Sequence, residues 1–225
     1  IRELKLPVHT VVGISTDKAC KPVNVMGMTK ALQERIFITA NLDCPGTRFI
    51  CVRYGNVLAS RGSVIPLFHE QVRAGGPVTI TTADMTRFLL SLDQAVDTIF
   101  AAVKGAFPGE TYIPRVPSAK VTDIAKVLIG NRKIKTVITG IRPGEKIHEI
   151  LVSEEEANRT ITRKNYHVIQ PILPEIQRSG KKGPFLAHEF SSADNVMTRS
   201  DLAKTLKQYD LMIKDADMPD GELLR

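Results

Sequence analysis

An α/β fold built on a parallel sheet is the class this sequence predicts, and three features predict it. Near the amino end the order is apolar strand, amphipathic helix, apolar strand, the order of a βαβ unit. Both strand candidates are almost wholly apolar rather than alternating, as in strands buried on two faces. The helical segments that follow carry apolar rows at spacings of three and four residues.

The first strand is Val8–Ser15 (VHTVVGIS), short and rich in β-branched residues. A polar stretch with Pro22 follows, and then a helix from Met26 to Asn41 with Met28, Leu32, Ile36 and Ala40 as its expected inner stripe. Asp43–Gly46 breaks that helix, and Arg48–Tyr54 (RFICVRY) is the second strand. Ser63 can cap a helix that buries Val64, Leu67, Phe68 and Val72 and stops at Gly75–Gly76. Val78–Thr81 reads as a short strand. Ser91 with Gln94 is a capping-box pattern, and the helix it opens is expected to bury Leu92, Ala95, Val96, Ile99, Phe100 and Val103. Tyr112–Ile113 is a strand, Val121–Ile129 a helix ended by Gly130, and Lys135–Thr139 another strand. Beyond Ser153 the periodicity weakens, and Pro171, Pro174, Gly180, Gly183 and Pro184 predict an extended, partly irregular tail. No internal repeat is present.

Composition narrows the function classes. A hydrophobic fraction of 43% with 24% charged residues is that of a folded globular chain and argues against disorder. No apolar run approaches the roughly 20 residues of a membrane span. The chain starts at Ile1 rather than Met, which leaves room for an upstream segment and for a membrane anchor within it. Cys20, Cys44 and Cys51 are odd in number and irregularly spaced, so a reducing cytoplasm is expected and a disulfide framework is not. With the five histidines they form no metal-ligand spacing, and no metal site is expected. The net charge of +7 is dispersed in short clusters, Arg132, Lys133 and Lys135 or Arg178, Lys181 and Lys182. With only 5% aromatic residues to stack on bases, that charge suits small phosphate-bearing ligands better than nucleic acid.

The chemistry is concentrated where the first strand meets its helix. Ser15, Thr16, Asp17 and Lys18 lie just past the carboxyl end of a buried strand, where open α/β sheets place their ligands. Met26 and Lys30 stand four apart on the helix and so share a face. Alone, that pattern describes a capped helix with a solvated lysine. It is followed, in order, by R-Y-G-N-V (53–57), S-R-G-S-V-I-P-L-F (60–68), D-M-T-R-F (84–88) and G-I-R-P-G-E-K-I-H-E (140–149).

This ordered set, with S-T-D-K-A and N-V-M-G-M-T-K before it, resembles the UDP-N-acetylglucosamine 4,6-dehydratase and capsular polysaccharide biosynthesis family of extended short-chain dehydrogenases. The stretches Tyr166–Glu175 and Glu189–Met197 resemble the carboxyl-terminal extension of its capsule-synthesis members. The resemblance covers almost all 225 residues. It implies the carboxyl-terminal part of a Rossmann-type parallel sheet, a smaller α/β substrate-binding subdomain and an extended tail, divided as 1–110, 111–165 and 166–225. No glycine-rich turn stands between a strand and a helix here, although a complete dinucleotide-binding domain needs one, so the chain is expected to begin after it.

The resemblance also implies roles. The reaction is oxidation at C4 by NADP or NAD, loss of water across C5 and C6, and return of hydride at C6. Asp17 would be the acid for the C6 hydroxyl and Lys18 the base for C5–H, with Lys30 supplying positive charge and a contact to the nicotinamide ribose. Met26 stands where the family usually has tyrosine, and a thioether cannot take the C4 hydroxyl proton. A subgroup that couples dehydration to C5 or C3 epimerisation shares this methionine; an inactive site is the other reading. Ser15, Thr16, Tyr54, Gly55, Asn56 and Val57 would line the cofactor, with Asn56 also reaching the sugar. Ser63, Val64 and Pro66 would lie near the nucleotide. Arg87 and Arg142 would hold the diphosphate, and Glu145 a ribose. Each has a plainer alternative: Asn56 as a turn residue, Ser63 as a helix cap, Arg142 with Glu145 as a surface pair. Expected partners are a UDP-sugar and either further copies of the chain or a chain supplying the amino-terminal half. A UDP-sugar 4-epimerase and a non-catalytic assembly partner remain as alternative functions.

Overall fold

In a computed structural model, which describes residues 1–177 and 183–214, the strand–helix–strand start is present. The basic cluster Arg178, Lys181 and Lys182 lies outside the described residues. In chain order the elements are β1 (Thr10–Thr16), α1 (Val25–Asp43), β2 (Arg48–Tyr54), α2 (Val64–Arg73), β3 (Val78–Ile80), β4 (Thr86–Phe88), α3 (Leu92–Gly105), β5 (Thr111–Pro114), β6 (Ser118–Lys120), α4 (Val121–Ile129), β7 (Thr136–Ile138), β8 (Ile150–Val152), α5 (Glu154–Ala157), β9 (Thr160–Arg163), β10 (Tyr166–Ile169), β11 (Phe190–Ser191) and α6 (Arg199–Gln208). They fall into two compact units, neither continuous in sequence. The first comprises Ile1–Gly55, Leu92–Arg115 and Ile150–Ser191; the second comprises Asn56–Ser91, Val116–Glu149 and the chain from Ser192 onward.

The first unit is built on a five-stranded sheet of order β1-β2-β5-β10-β9. β1, β2 and β5 run parallel, with Thr10 opposite Arg48 and Thr16 opposite Tyr54, and β10 and β9 add antiparallel strands. Because side chains alternate along β2, Ile50 and Val52 pack with Ala102, Ala106, Tyr112 and Val168 beneath α3. Phe49, on the other face, meets the Phe37 ring edge-on at 6.0 Å. Asn41 of α1 accepts from the Phe49 amide and donates to its carbonyl, both at 3.0 Å. In the second unit α2, α4 and α6 enclose a core that includes Ile65, Phe68, Val72, Val78, Ile124, Leu128, Leu202 and Leu206. A parallel β3–β7 pair and an antiparallel β4–β6 pair flank it.

Several expectations about which face is buried are corrected. The row Met28, Leu32 and Ile36 is 54–60% exposed and Ala40 is half-buried; the inner face of α1 is Gly27, Glu34, Ile38 and Asn41. On α3 the buried residues are Ala95, Thr98 and Ala102, while Leu92, Val96, Phe100 and Val103 are exposed. On α2, Leu67 faces outward and Ile65 and His69 take the inner positions. Small residues occupy the inner face of α3 because the helix lies close to the sheet. A Cβ on Gly105 would stand 3.0 Å from the Tyr112 hydroxyl. The tail is also more ordered than expected: Thr160–Ile169 forms a hairpin inside the main sheet, and α6 is a regular helix capped by Thr198.

Candidate active site

Thr16 ends β1 and caps a single 3-10 turn, Asp17–Ala19. Its hydroxyl donates to Asp17 Oδ1 at 2.9 Å and accepts from the Lys18 amide at 3.4 Å. Lys18 Nζ donates to the same Oδ1 at 3.0 Å. Asp17 is fully buried, and its second oxygen, Oδ2, has no hydrogen-bond partner. Asp17 and Lys18, predicted as acid and base, are therefore in direct contact, with one carboxylate oxygen uncommitted.

α1 begins behind this turn. Asn24 caps it through the Gly27 amide at 2.9 Å. Gly27 is required by proximity: a Cβ there would fall 2.2 Å from the Lys18 carbonyl oxygen. Met26 is 47% exposed. Lys30 Nζ donates to the Ile14 carbonyl and to Gln33 Oε1, each at 2.9 Å, so its ammonium lies at the carboxyl end of β1. Ser15, predicted to line the cofactor, is buried and its hydroxyl donates to Glu34 Oε1 at 2.5 Å. Tyr54, opposite Thr16 in the sheet, is half-buried, and burial raises the pKa of its phenol. Gly55 follows it, buried.

A buried ionic network under the turn was not anticipated. Arg53, only 2% exposed, donates from Nε and Nη2 to Glu34 at 2.9 and 2.5 Å, and from Nη1 and Nη2 to Glu156 at 2.8 and 2.9 Å. Nη1 also donates to the Leu151 carbonyl at 2.9 Å. Burial opposes the guanidinium charge, and the two carboxylates overcome it and raise the Arg53 pKa. Burial pushes the Glu156 carboxyl up, but the charge and hydrogen bonds of Arg53, with help from Ser153 and Arg159, bring it down to about 2. Cys51 is pushed up to about 12, first by burial and then by Glu34, which keeps it a thiol. The sequence signal was available: an arginine inside the apolar strand RFICVRY has to find buried carboxylates.

The remaining predicted residues lie in the second unit. The Asn56 Oδ1, Ser63 Oγ and Glu145 Oε2 atoms are buried without hydrogen-bond partners. Ser63 precedes α2 but makes no side-chain cap. Val57 bridges to Leu90, and Val64 and Pro66 are half-buried in the first turn of α2. Arg142 is exposed at the start of a turn closed by the Glu145 amide on the Arg142 carbonyl at 3.1 Å, with Gly144 at φ +81°. Arg87, expected to hold the diphosphate, is bound to backbone carbonyls. Nη1 donates to the Thr86 and Ile147 carbonyls at 2.7 and 3.2 Å, and Nη2 to the Lys146 carbonyl at 3.1 Å. These bonds strap β4 to the segment after Glu145.

Among the described residues no group of His, Cys, Asp and Glu could hold a metal ion, and no helix is long and apolar enough to cross a membrane. A buried polar atom without a partner is uncommon in folded proteins. Four such atoms, on Asp17, Asn56, Ser63 and Glu145, belong to residues assigned to catalysis or ligand binding.

A family described as polysaccharide biosynthesis protein matches residues 3–171. A UDP-N-acetylglucosamine 4,6-dehydratase (inverting) of Campylobacter jejuni is 39% identical over 200 residues, which is 84% of this chain and 59% of that protein. A UDP-glucose 4-epimerase of Rickettsia massiliae is 43% identical over 166 residues, covering 72% of this chain and 49% of that protein. The X-ray structure of Pen from Bacillus thuringiensis superposes with a TM-score of 0.81 at 31% identity, covering 92% of this chain and 64% of that one. The chain thus spans about half to three-fifths of the length of these curated relatives.

Proposed function

Because this chain belongs to the polysaccharide biosynthesis protein family, we propose that it carries the catalytic turn of an enzyme that removes water from UDP-N-acetylglucosamine across C5 and C6. The observation that carries this reading is the Asp17–Lys18 contact of 3.0 Å at the carboxyl end of β1. A proton passing along that contact turns the ion pair into a neutral acid and a neutral amine. These are the two forms an elimination needs, one to protonate the departing C6 hydroxyl and one to accept the C5 proton. Asp17 Oδ2, buried and without a hydrogen-bond partner, is the oxygen assigned to the sugar hydroxyl. Met26, at the position usually held by tyrosine in the family, accepts no proton, so Lys18 serves the further proton transfers, including those of a coupled C5 or C3 epimerisation.

NAD or NADP would supply the hydride transfer, away from C4 and back to C6. The residues present suit its nicotinamide-ribose end: Lys30 holds its ammonium on the Ile14 carbonyl at the end of β1, and Tyr54, opposite Thr16, ends the neighbouring strand, with Gly55 next in the chain. A glycine-rich turn for the pyrophosphate is not among these 225 residues. For the nucleotide we assign Asn56 and Glu145, whose buried oxygens lack partners, with Val57, Ser63, Val64 and Pro66 beside them. Arg142 is assigned to the diphosphate, and Arg87 contributes only through the Nη2 donor left by its three carbonyl bonds and by Glu149, which lies 3.7 Å from Nε. The thiols of Cys20, Cys44 and Cys51 suit a reducing cytoplasm. Self-association, or pairing with a chain that completes the dinucleotide-binding half, belongs to the same proposal.

The 4-epimerase reading is favoured by the Rickettsia relative. Epimerisation needs only oxidation and reduction at C4 and gives the Asp17–Lys18 pair no role. Mass spectrometry of the product formed from UDP-N-acetylglucosamine by the complete native protein decides between them. A product lighter by one water supports dehydration, and an isomer of unchanged mass overturns it.

A further inference from the structure

The buried network beneath the turn is by itself weak evidence of a stabilising role. Two carboxylates face one guanidinium, with Arg159 Nη2 at 4.0 Å from Glu156 as the next cation. Taking such groups out of water is expensive, and well-packed apolar side chains of similar volume often serve stability as well or better. The arrangement becomes intelligible from what each carboxylate touches. Glu34 accepts the Ser15 hydroxyl at 2.5 Å, immediately before Thr16–Asp17–Lys18. Glu156 accepts the Cys20 thiol at 3.8 Å, immediately after Ala19. Glu156 is itself fixed by a capping box with Ser153. Outside this layer, Lys21 Nζ meets Glu189 at 2.7 Å. One planar fork therefore binds two carboxylates in bidentate fashion, and those carboxylates grip the two ends of a single turn.

We propose that Arg53 is a positioning residue. Through Glu34 and Glu156 it fixes both ends of the Ser15–Cys20 turn, and so sets where Asp17 and Lys18 present their side chains. Lysine cannot replace it, because a point-like ammonium reaches one carboxylate oxygen at a time where the guanidinium reaches four. The proposal rests on the reading of this turn as catalytic, but its structural half can be measured without substrate.

The test uses the complete native protein with Arg53→Lys and Glu156→Gln. Glu156→Gln keeps the volume and leaves the Arg53–Glu34 pair intact, so it remains informative should Arg53→Lys fail to fold. Two readouts are taken. Amide hydrogen exchange at residues 16–20 should accelerate about 10-fold or more, while amides of β5 and β10 keep wild-type rates. With UDP-N-acetylglucosamine, kcat should fall on the order of 10-fold to 100-fold with KM within about three-fold, as expected when reacting groups are misplaced but binding is spared. Wild-type exchange in the turn together with wild-type kcat overturns the proposal. So does a uniform rise in exchange across the sheet, which marks a merely structural role. If the wild-type protein removes no water from the sugar, the functional reading falls and the exchange measurement alone decides the clamp.

Discussion

Gly27 offers a sharp test of how closely α1 approaches the turn. A methyl group there would sit 2.2 Å from the Lys18 carbonyl oxygen, 3.0 Å from its carbon and 3.2 Å from Pro22 Cβ. Ordinary contact begins near 3.4 Å, so Gly27→Ala requires the turn or the helix start to move by about 1 Å. The first two contacts are backbone, which cannot swing aside as a flexible side chain would. On an exposed helix the same change would stabilise by about 1 kcal/mol through propensity, whereas overpacking costs about 1–3 kcal/mol. The balance is a net loss of up to about 2 kcal/mol, read as a lower urea midpoint at unchanged slope. The same displacement moves Lys18 relative to Lys30 and should cost about 100-fold in turnover. A variant more stable than wild type by about the propensity gain, with full turnover, would show that helix and turn are not in contact and would refute the reasoning.

Lys18→Met should lower dehydration by about 10²–10⁴-fold, the usual loss on removing a proton-transfer group, with UDP-sugar binding within a few-fold; near-normal turnover would remove Lys18 as the base. Arg142→Ala should weaken UDP binding by about 1.5–3 kcal/mol in calorimetry, the loss of charge-assisted contacts, and unchanged affinity would take it out of the site. His167, buried on β10 edge-on to Phe190, is pushed down to about 4 by burial and then by Arg115. Its folded pKa lies below the unfolded value of about 6.5, so the unfolded chain takes up the proton first. The stability it contributes is complete above pH 6.5 and is lost as pH falls toward 4, by about 2 kcal/mol at pH 5. Urea unfolding of His167→Gln should show a correspondingly flatter dependence between pH 7.5 and 5, and an unchanged slope would contradict the assignment.

Much of the fold was legible because its signals are local. Arg48–Tyr54 and Val121–Ile129 were placed residue for residue, since a β-branched run and a helix ended by glycine are short-range patterns. β1 was displaced by two residues at its start, where nothing but pairing with β2 defines the end. The hairpin β9–β10 was missed because its short strands carry mixed polarity and are stabilised by joining β5.

The inner faces of α1 and α3 were misread for a physical reason. Apolar spacing says that a helix has a preferred face, but not which of two rows meets the sheet. On α1 the buried row is Gly27, Glu34, Ile38 and Asn41, and each polar or small member answers to a distant residue. Gly27 yields to the Lys18 backbone, Glu34 pairs with Arg53, and Asn41 satisfies Phe49. The catalytic candidates Asp17 and Lys18 could be named from sequence because they are neighbours in a motif at a strand end. The network that holds them could not, because Glu34, Arg53 and Glu156 are separated by 19 and 103 residues. Sequence alone therefore determined the fold class, the family and the residues of the turn, all of which rest on short-range order. Only the tertiary structure decided which helix faces are buried and which side chains meet the turn, because a buried charge selects its partners through space and not along the chain.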